Sequence, residues 1–329
     1  MGVKGFEDQS PVPETYAGPQ AWWDPSEAKS ATIIDRDMST EEALTMGGLD
    51  WPVELREFTY PGESGPVTVP NWRGVIRPTD DAFLGMVTPT YRTFQNEELA
   101  ALGDHILAQG GCHWHTVGSL YGGKIVWMQA KFDHTMHIHG DGSPIEDYLT
   151  LWTGHDGRHA ANAANMPNRV WCGNTLAQGI ANARQSITLR HTKGMDERLE
   201  EVRAALDIHY KYWETLEQVL NGLAQRPMTL KEVGAYTVAL LPADPDIDKP
   251  YRTEAQRDEI MALYRDSDNL RNVPKTAYRA YNATVEWLDH TRVIRDTKVA
   301  AAGDRRALSI LEGGIFDTKS RALALLLKA

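Results

Sequence analysis

Apolar and polar residues alternate along Val53-Glu-Leu-Arg-Glu-Phe-Thr, the period-two signature of a strand with one buried face. Trp72-Arg-Gly-Val-Ile-Arg and Phe83-Leu-Gly-Met-Val flank the turn sequence Pro78-Thr-Asp-Asp and predict a hairpin. A second hairpin is predicted from His113–Leu120 and Lys124–Phe132 around Tyr121-Gly122-Gly123. Its alternation puts Ile125 and Trp127 on one face and Val126, Met128 and Phe132 on the other. Residues 133–145 read as a polar loop. Tyr148–Trp152, Arg169–Cys172 and Ile187–Arg190 read as further strands, with a helix over 174–182 between the last two.

Helical signals sit between and after these strands. Ser39-Thr-Glu-Glu42 is a capping box, and Gly47-Gly48 ends that short helix. Asn96 opens a helix to about Gln109, with Leu99, Leu102 and Ile106 on its apolar face. After Lys193 the period changes. Leu199, Val202, Leu206, Tyr210, Trp213, Leu216, Leu220 and Leu223 recur at steps of three and four residues, the clearest helical stripe in the chain. Thr229-Leu-Lys-Glu232 is another capping box, and helices are predicted near 253–267, 275–290 and 304–328. The pattern predicts an α+β fold: antiparallel hairpins with a packed helix in the N-terminal two thirds and a mostly helical C-terminal part. Three segments follow: an irregular acidic arm over 1–38, an α+β core over 39–195 and a helical region over 196–329 packed on the core.

Composition adds little to this until the charge is divided along the chain. The 329 residues carry a formal net charge of −11. Residues 1–70 hold thirteen acidic and four basic residues, so most of the excess lies in that segment. From Arg158 to Lys193 there are five basic residues (Arg158, Arg169, Arg184, Arg190 and Lys193) and no Asp or Glu. An acid-free basic window of this kind marks either a polyanion surface or a solvated surface with scattered arginines. There is no apolar run of 18 residues and no apolar leader, so neither a membrane span nor a signal peptide is expected. Two cysteines, Cys112 and Cys172, suit a reducing cytoplasm rather than a disulfide scaffold.

The histidines concentrate the candidate chemistry. Seven of eleven fall between 113 and 159: His113, His115, His134, His137, His139, His155 and His159. His134-Thr-Met-His137-Ile-His139, with Asp133 and Asp141 alongside, has the ligand types for zinc or another borderline metal, although its spacing matches no established motif. The alternative is a loop that carries polar aromatic residues. His155-Asp156-Gly157 reads either as a strand-end acid–base pair or, more simply, as an Asp-Gly turn. No phosphate-binding loop, serine-hydrolase elbow or dinucleotide fingerprint is present.

The ordered motifs Trp51-Pro-Val-Glu-Leu, Tyr91-Arg-Thr-Phe-Gln-Asn96, Gly118-Ser-Leu-Tyr-Gly-Gly-Lys-Ile-Val-Trp, Arg169-Val-Trp-Cys-Gly-Asn-Thr and Tyr281-Asn-Ala-Thr-Val-Glu-Trp-Leu-Asp-His290 resemble the phage/plasmid-like protein family, a domain of unknown function. The match runs from about residue 39 to the C-terminus. Members often begin with a Trp-His-Gly type motif, where this chain has Gln20-Ala-Trp-Trp-Asp. The resemblance implies an origin on a phage, prophage or plasmid and a role in mobile-element DNA replication or recombination. The hairpin–helix–hairpin order over 72–132 is loosely similar to the core of phage single-strand annealing proteins.

Charge and resemblance together favour a homo-oligomeric, non-enzymatic binder of single-stranded DNA. Arg158, Arg169, Arg184, Arg190, His191 and Lys193 would track its backbone, with no catalytic residue, metal or cofactor. Two alternatives stay open: a metal-dependent hydrolase or nuclease built on the histidines of 113–159, and a host-factor binder acting through the acidic arm.

Overall fold

The predicted capping boxes form and fix where the first elements start. In the computed structural model, which describes residues 30–33, 38–108, 110–170, 174–175, 186–188, 195–243, 251–298 and 300–328, Ser39 caps α1 (Thr40–Met46). Its hydroxyl accepts from Glu42 N at 3.2 Å, and the Glu42 carboxylate accepts from Ser39 N at 2.9 Å. In α2 (Asn96–Leu107) the cap moves one residue earlier, to Gln95, whose backbone N–H donates to Glu98. Asn96 is thereby freed to turn inward, where its Nδ2 donates to the Leu49 carbonyl at 2.8 Å.

Two antiparallel sheets carry the strands. The smaller has the order β2 (Glu54–Gly62), β3 (Gly65–Arg77), β4 (Ala82–Val87). The larger follows the path β1 (Ser30–Ile33), β5 (Cys112–Leu120), β6 (Ile125–Met136), β7 (Ile145–Gly154), β8 (Asn162–Asn165), β11 (Ser186–Thr188). Two short strands, β9 (Asn168–Arg169) and β10 (Asn174–Thr175), pair off its side through β7. The β5–β6 turn uses Tyr121, Gly122 and Gly123, all at positive φ (53°, 69° and 97°), which is where two glycines are needed.

The larger sheet is buried on both faces. Ile125, Trp127, Tyr148 and Trp152 pack against a helical layer of α3 (Met195–Ala224), α4 (Leu230–Leu240), α5 (Tyr251–Asp266), α6 (Ala277–Glu286), α7 (Ala302–Leu311) and α8 (Gly314–Lys328). Val126, Met128, Phe132, Leu149 and Leu151 pack instead with α1, α2 and the smaller sheet. The division of Ile125/Trp127 from Val126/Met128/Phe132 is the one the alternation predicts. The chain is therefore an α+β fold with the larger sheet as its central layer.

Several expected boundaries move for physical reasons. The arm over 1–38 includes β1, which pairs antiparallel with β5 from Ser30↔Ser119 to Ile33↔Thr116. The polar loop expected over 133–145 starts later, because β6 continues to Met136 through a bulge between Lys131 and Thr135. Asn174–Thr175, expected to open a helix, instead pairs with Asn168–Arg169, and 176–182 lies outside the described residues. The C-terminal helix is two helices. Glu312 is extended and Gly313 has φ 115°, which breaks the run between α7 and α8. Helix α6 continues as a π turn over Trp287–Thr291.

Candidate metal centre

The bulge in β6 decides where the chemistry goes. It adds two residues on β6 opposite β7 and brings His134 beside Asp147 of β7. Helix α3 supplies the third group. Its C-terminal stretch (Tyr212, Trp213, Leu216, Leu220) belongs to the core on one side of the sheet. One turn earlier, the His209 ring stacks on Phe132, which belongs to the core on the other side, with centroids 4.1 Å apart and planes at 23°. His209 thus sits where α3 passes from one core to the other.

His134, Asp147 and His209 converge. His134 Nε2 lies 2.7 Å and His209 Nε2 2.8 Å from the same Asp147 oxygen, Oδ2. They are the one group of three His, Cys, Asp or Glu side chains among the described residues whose donor atoms lie within 4.8 Å of one another. The Asp147 and His209 side chains are each 1% exposed, while that of His134 is 41% exposed, so the group is closed on two sides and open on one. Both Asp147 oxygens and His209 Nε2 are buried without an aligned hydrogen bond. Without a metal these contacts are ion pairs of the imidazoles with the carboxylate; with the imidazoles deprotonated, the same three groups offer two nitrogens and one oxygen within reach of a single ion.

A further residue fixes which His209 nitrogen faces that point. His209 Nδ1 pairs with Asn165 Oδ1 on β8. With the Asn165 oxygen as acceptor, Nδ1 is the donor of that pair, and Nε2 is the nitrogen that faces Asp147 and His134. The edge of Trp213 contacts His134, ring centroids 5.2 Å apart, and Tyr210 stands half-exposed beside His209. Contact with the Asp147 carboxylate holds the His134 imidazolium above its ordinary value, against the opposing effect of partial burial.

The other histidines are placed differently. His137 and His139 are exposed and take no part. His115 is buried beside Thr116 Oγ1, and burial pushes its imidazolium down to about 3. His155 is buried with Nε2 2.8 Å from Asn96 Oδ1, and burial pushes it down to about 4, so it is neutral and structural. Asp156 closes the turn after β7 by accepting from Arg158 N and His159 N, which settles the Asp-Gly reading in favour of a turn. Cys112 is a protonated thiol, pushed up to about 11 by burial and by Asp133 and Asp147.

The expected basic rim has a different fate. Arg158 is exposed on the turn after β7. Arg169 requires a correction: its side chain is fully buried and its Nε and Nη2 donate to Asp141 at 2.6 and 2.8 Å, so it faces the core and cannot meet a polyanion. Two short pairings hold it there, β9 on β7 and β9 on β10. Arg184, Arg190, His191 and Lys193 lie outside the described residues.

A family model described as a domain of unknown function, DUF932, matches residues 83–310 and takes in His134, Asp147, Asn165 and His209. No curated protein and no solved structure matches the chain. Among the described residues no helix is long and apolar enough to cross a membrane.

Proposed function

This chain belongs to the DUF932 family, whose domain carries no assigned reaction, and from that premise we propose that it is a metal-dependent hydrolase with its centre at His134, Asp147 and His209. The observation that carries the reading is the convergence of two imidazole nitrogens, His134 Nε2 and His209 Nε2, on one oxygen of the buried Asp147 carboxylate. Two nitrogens and one carboxylate suit zinc or a neighbouring divalent metal. Three protein ligands with one open side are the arrangement of a catalytic site rather than a closed structural one. A divalent metal held there would supply a water acidic enough to act as a nucleophile near neutral pH.

The residues of the chain divide the remaining work. Asp147 brings the negative charge. Asn165 orients His209, and Phe132 fixes the plane of its ring. The half-exposed His134 marks the side from which substrate and water enter. The resemblance to phage and plasmid proteins makes nucleic-acid phosphodiesters the first substrates to assay. Single-stranded DNA binding without catalysis rests on a rim of which Arg158 alone is exposed among the described residues.

Untagged protein, dialysed against zinc, manganese or iron(II) and measured by elemental analysis, is expected to retain about one metal per chain, following the one three-donor group among the described residues. Retention of none of them removes the proposal. Asn165→Ala is expected to lower metal affinity by about 10–100-fold without removing a ligand, because His209 loses the partner that fixes its tautomer. A competition titration against a chelator reads this directly, and unchanged affinity would exclude the orienting role of Asn165.

A further inference from the structure

A cavity lies within the helical layer. Between α4 and the end of α8 there is an open-mouthed cavity of about 490 Å³, within the ordinary range for small-molecule sites. Helix α4 turns one stripe toward it: Glu232, Ala235, Tyr236 and Ala239, spaced at three and four residues. The two alanines leave a trough, and Leu325 of α8 and Met228 form its other apolar walls. Tyr236 contributes its ring only, since its hydroxyl is engaged with Thr284 Oγ1 at 2.9 Å.

The polar end is made by Arg226, Glu232 and Lys328. Arg226 follows the last turn of α3, and its backbone is pinned, with its carbonyl accepting from Ala277 N at 2.9 Å. Its Nη2 is nonetheless buried with no hydrogen-bond partner. A buried guanidinium nitrogen in that state calls for an oxygen acceptor. Glu232 interacts with Arg226 through charge but makes no hydrogen bond to that nitrogen; its Oε2 accepts from both Thr229 N and Thr229 Oγ1 at 2.7 Å. Lys328 adds an exposed ammonium to the same rim. Two cations and one engaged carboxylate leave a single positive charge beside an apolar trough.

We propose that this cavity binds a monocarboxylate on an aliphatic chain of fatty-acid type. The Arg226 guanidinium donates to the carboxylate, Lys328 adds attraction at the mouth, and the chain lies along Ala235, Ala239 and Leu325. The single charge matches a carboxylate better than a dianionic phosphate, and the alanine trough matches a narrow flexible chain.

The experiment is a calorimetric titration of the full chain with dodecanoate, and separately with dodecanol, which has the same tail and no charge. Dodecanoate is expected to saturate one site and to bind at least about tenfold more tightly than dodecanol, the worth of a charge-assisted hydrogen bond. Arg226→Gln is expected to remove that preference while leaving dodecanol binding as it was. Ala239→Leu, which fills the trough from an exposed position, is expected to weaken both ligands. Equal affinity for the two ligands on the unaltered protein overturns the proposal without reference to any variant, as does a lack of saturable binding. Binding of a peptide with a C-terminal leucine carboxylate but not of dodecanoate would overturn it too.

Discussion

His134→Ala is expected to leave the protein folded and to strip it of metal and hydrolytic activity together. The side chain is 41% exposed, so its loss opens no sealed cavity, whereas truncating Asp147 or His209, each 1% exposed, would mix a folding defect with a ligand defect. Protein zinc sites bind with about 10–16 kcal/mol in total, so one ligand of three is worth about 3–5 kcal/mol, or two to four decades in affinity. The pH dependence carries a second signature. Asp147 raises His134 above its unfolded value, so in metal-free protein this pair stabilises the fold below about pH 6.5. That contribution is lost as pH rises through the raised folded value. The metal-free alanine variant should therefore lose stability relative to the unaltered protein in acid and match it in alkali. Metal affinity runs the other way, because the metal must displace the His134 proton, and it should fall as pH drops through the same range. An ion pair with no metal function would reproduce the stability profile and show no metal affinity at any pH.

The contrast between the fold and this centre shows what a sequence exposes. Period-two alternation over 125–132 sorted Ile125 and Trp127 from Val126, Met128 and Phe132 correctly, because each face of β6 meets its own core. Capping residues at Ser39 and Thr229 located helix starts, since a cap is a local hydrogen bond. The centre has no such local rule. His134 stood among seven histidines in one region, and nothing in its neighbours separated it from His137 or His139. What singles it out is a bulge, and a bulge is a register event between two strands. Asp147 reads as one acid in Ile145-Glu-Asp-Tyr-Leu, although the structure buries it. His209 falls inside a helical stripe whose period explains Tyr210 and Trp213 without it. The available signal was a histidine adjoining the apolar stripe of a long helix, which becomes informative only once that helix is known to touch both cores. At Arg169 the basic window misled for a related reason. A run without acid describes net charge along the chain, while Arg169 found its acid at Asp141, 28 residues earlier.

That pairing sets up the largest expected change in stability. Asp141→Ala should destabilise the fold by about 3–5 kcal/mol, the cost of leaving one member of a buried ion pair without the other. Neither side chain is exposed at all. Asp141 Oδ1 accepts from Arg169 Nη2 and from Ser143 N, and Oδ2 accepts from Arg169 Nε and from the Tyr278 hydroxyl at 2.9 Å. The carboxylate therefore joins the loop after β6, the short strand β9 and helix α6, and Arg169 extends the link to the Asn269 carbonyl. Burial and the same carboxylate hold the Tyr278 phenol well above its ordinary value, so it stays a donor throughout the working pH range. Alanine at 141 would strand a guanidinium and a phenol in the core with their acceptor gone. The double variant Asp141→Leu with Arg169→Met is expected to recover most of the loss, since an apolar pair of similar volume replaces two desolvated charges. Denaturant unfolding of the two single variants and the double closes the cycle, and additive losses would show that the charges do not stabilise each other. The same cycle bears on nucleic-acid binding. If Arg169 acts only inside the core, the stable double variant should bind oligonucleotide as the unaltered protein does, although the arginine is absent.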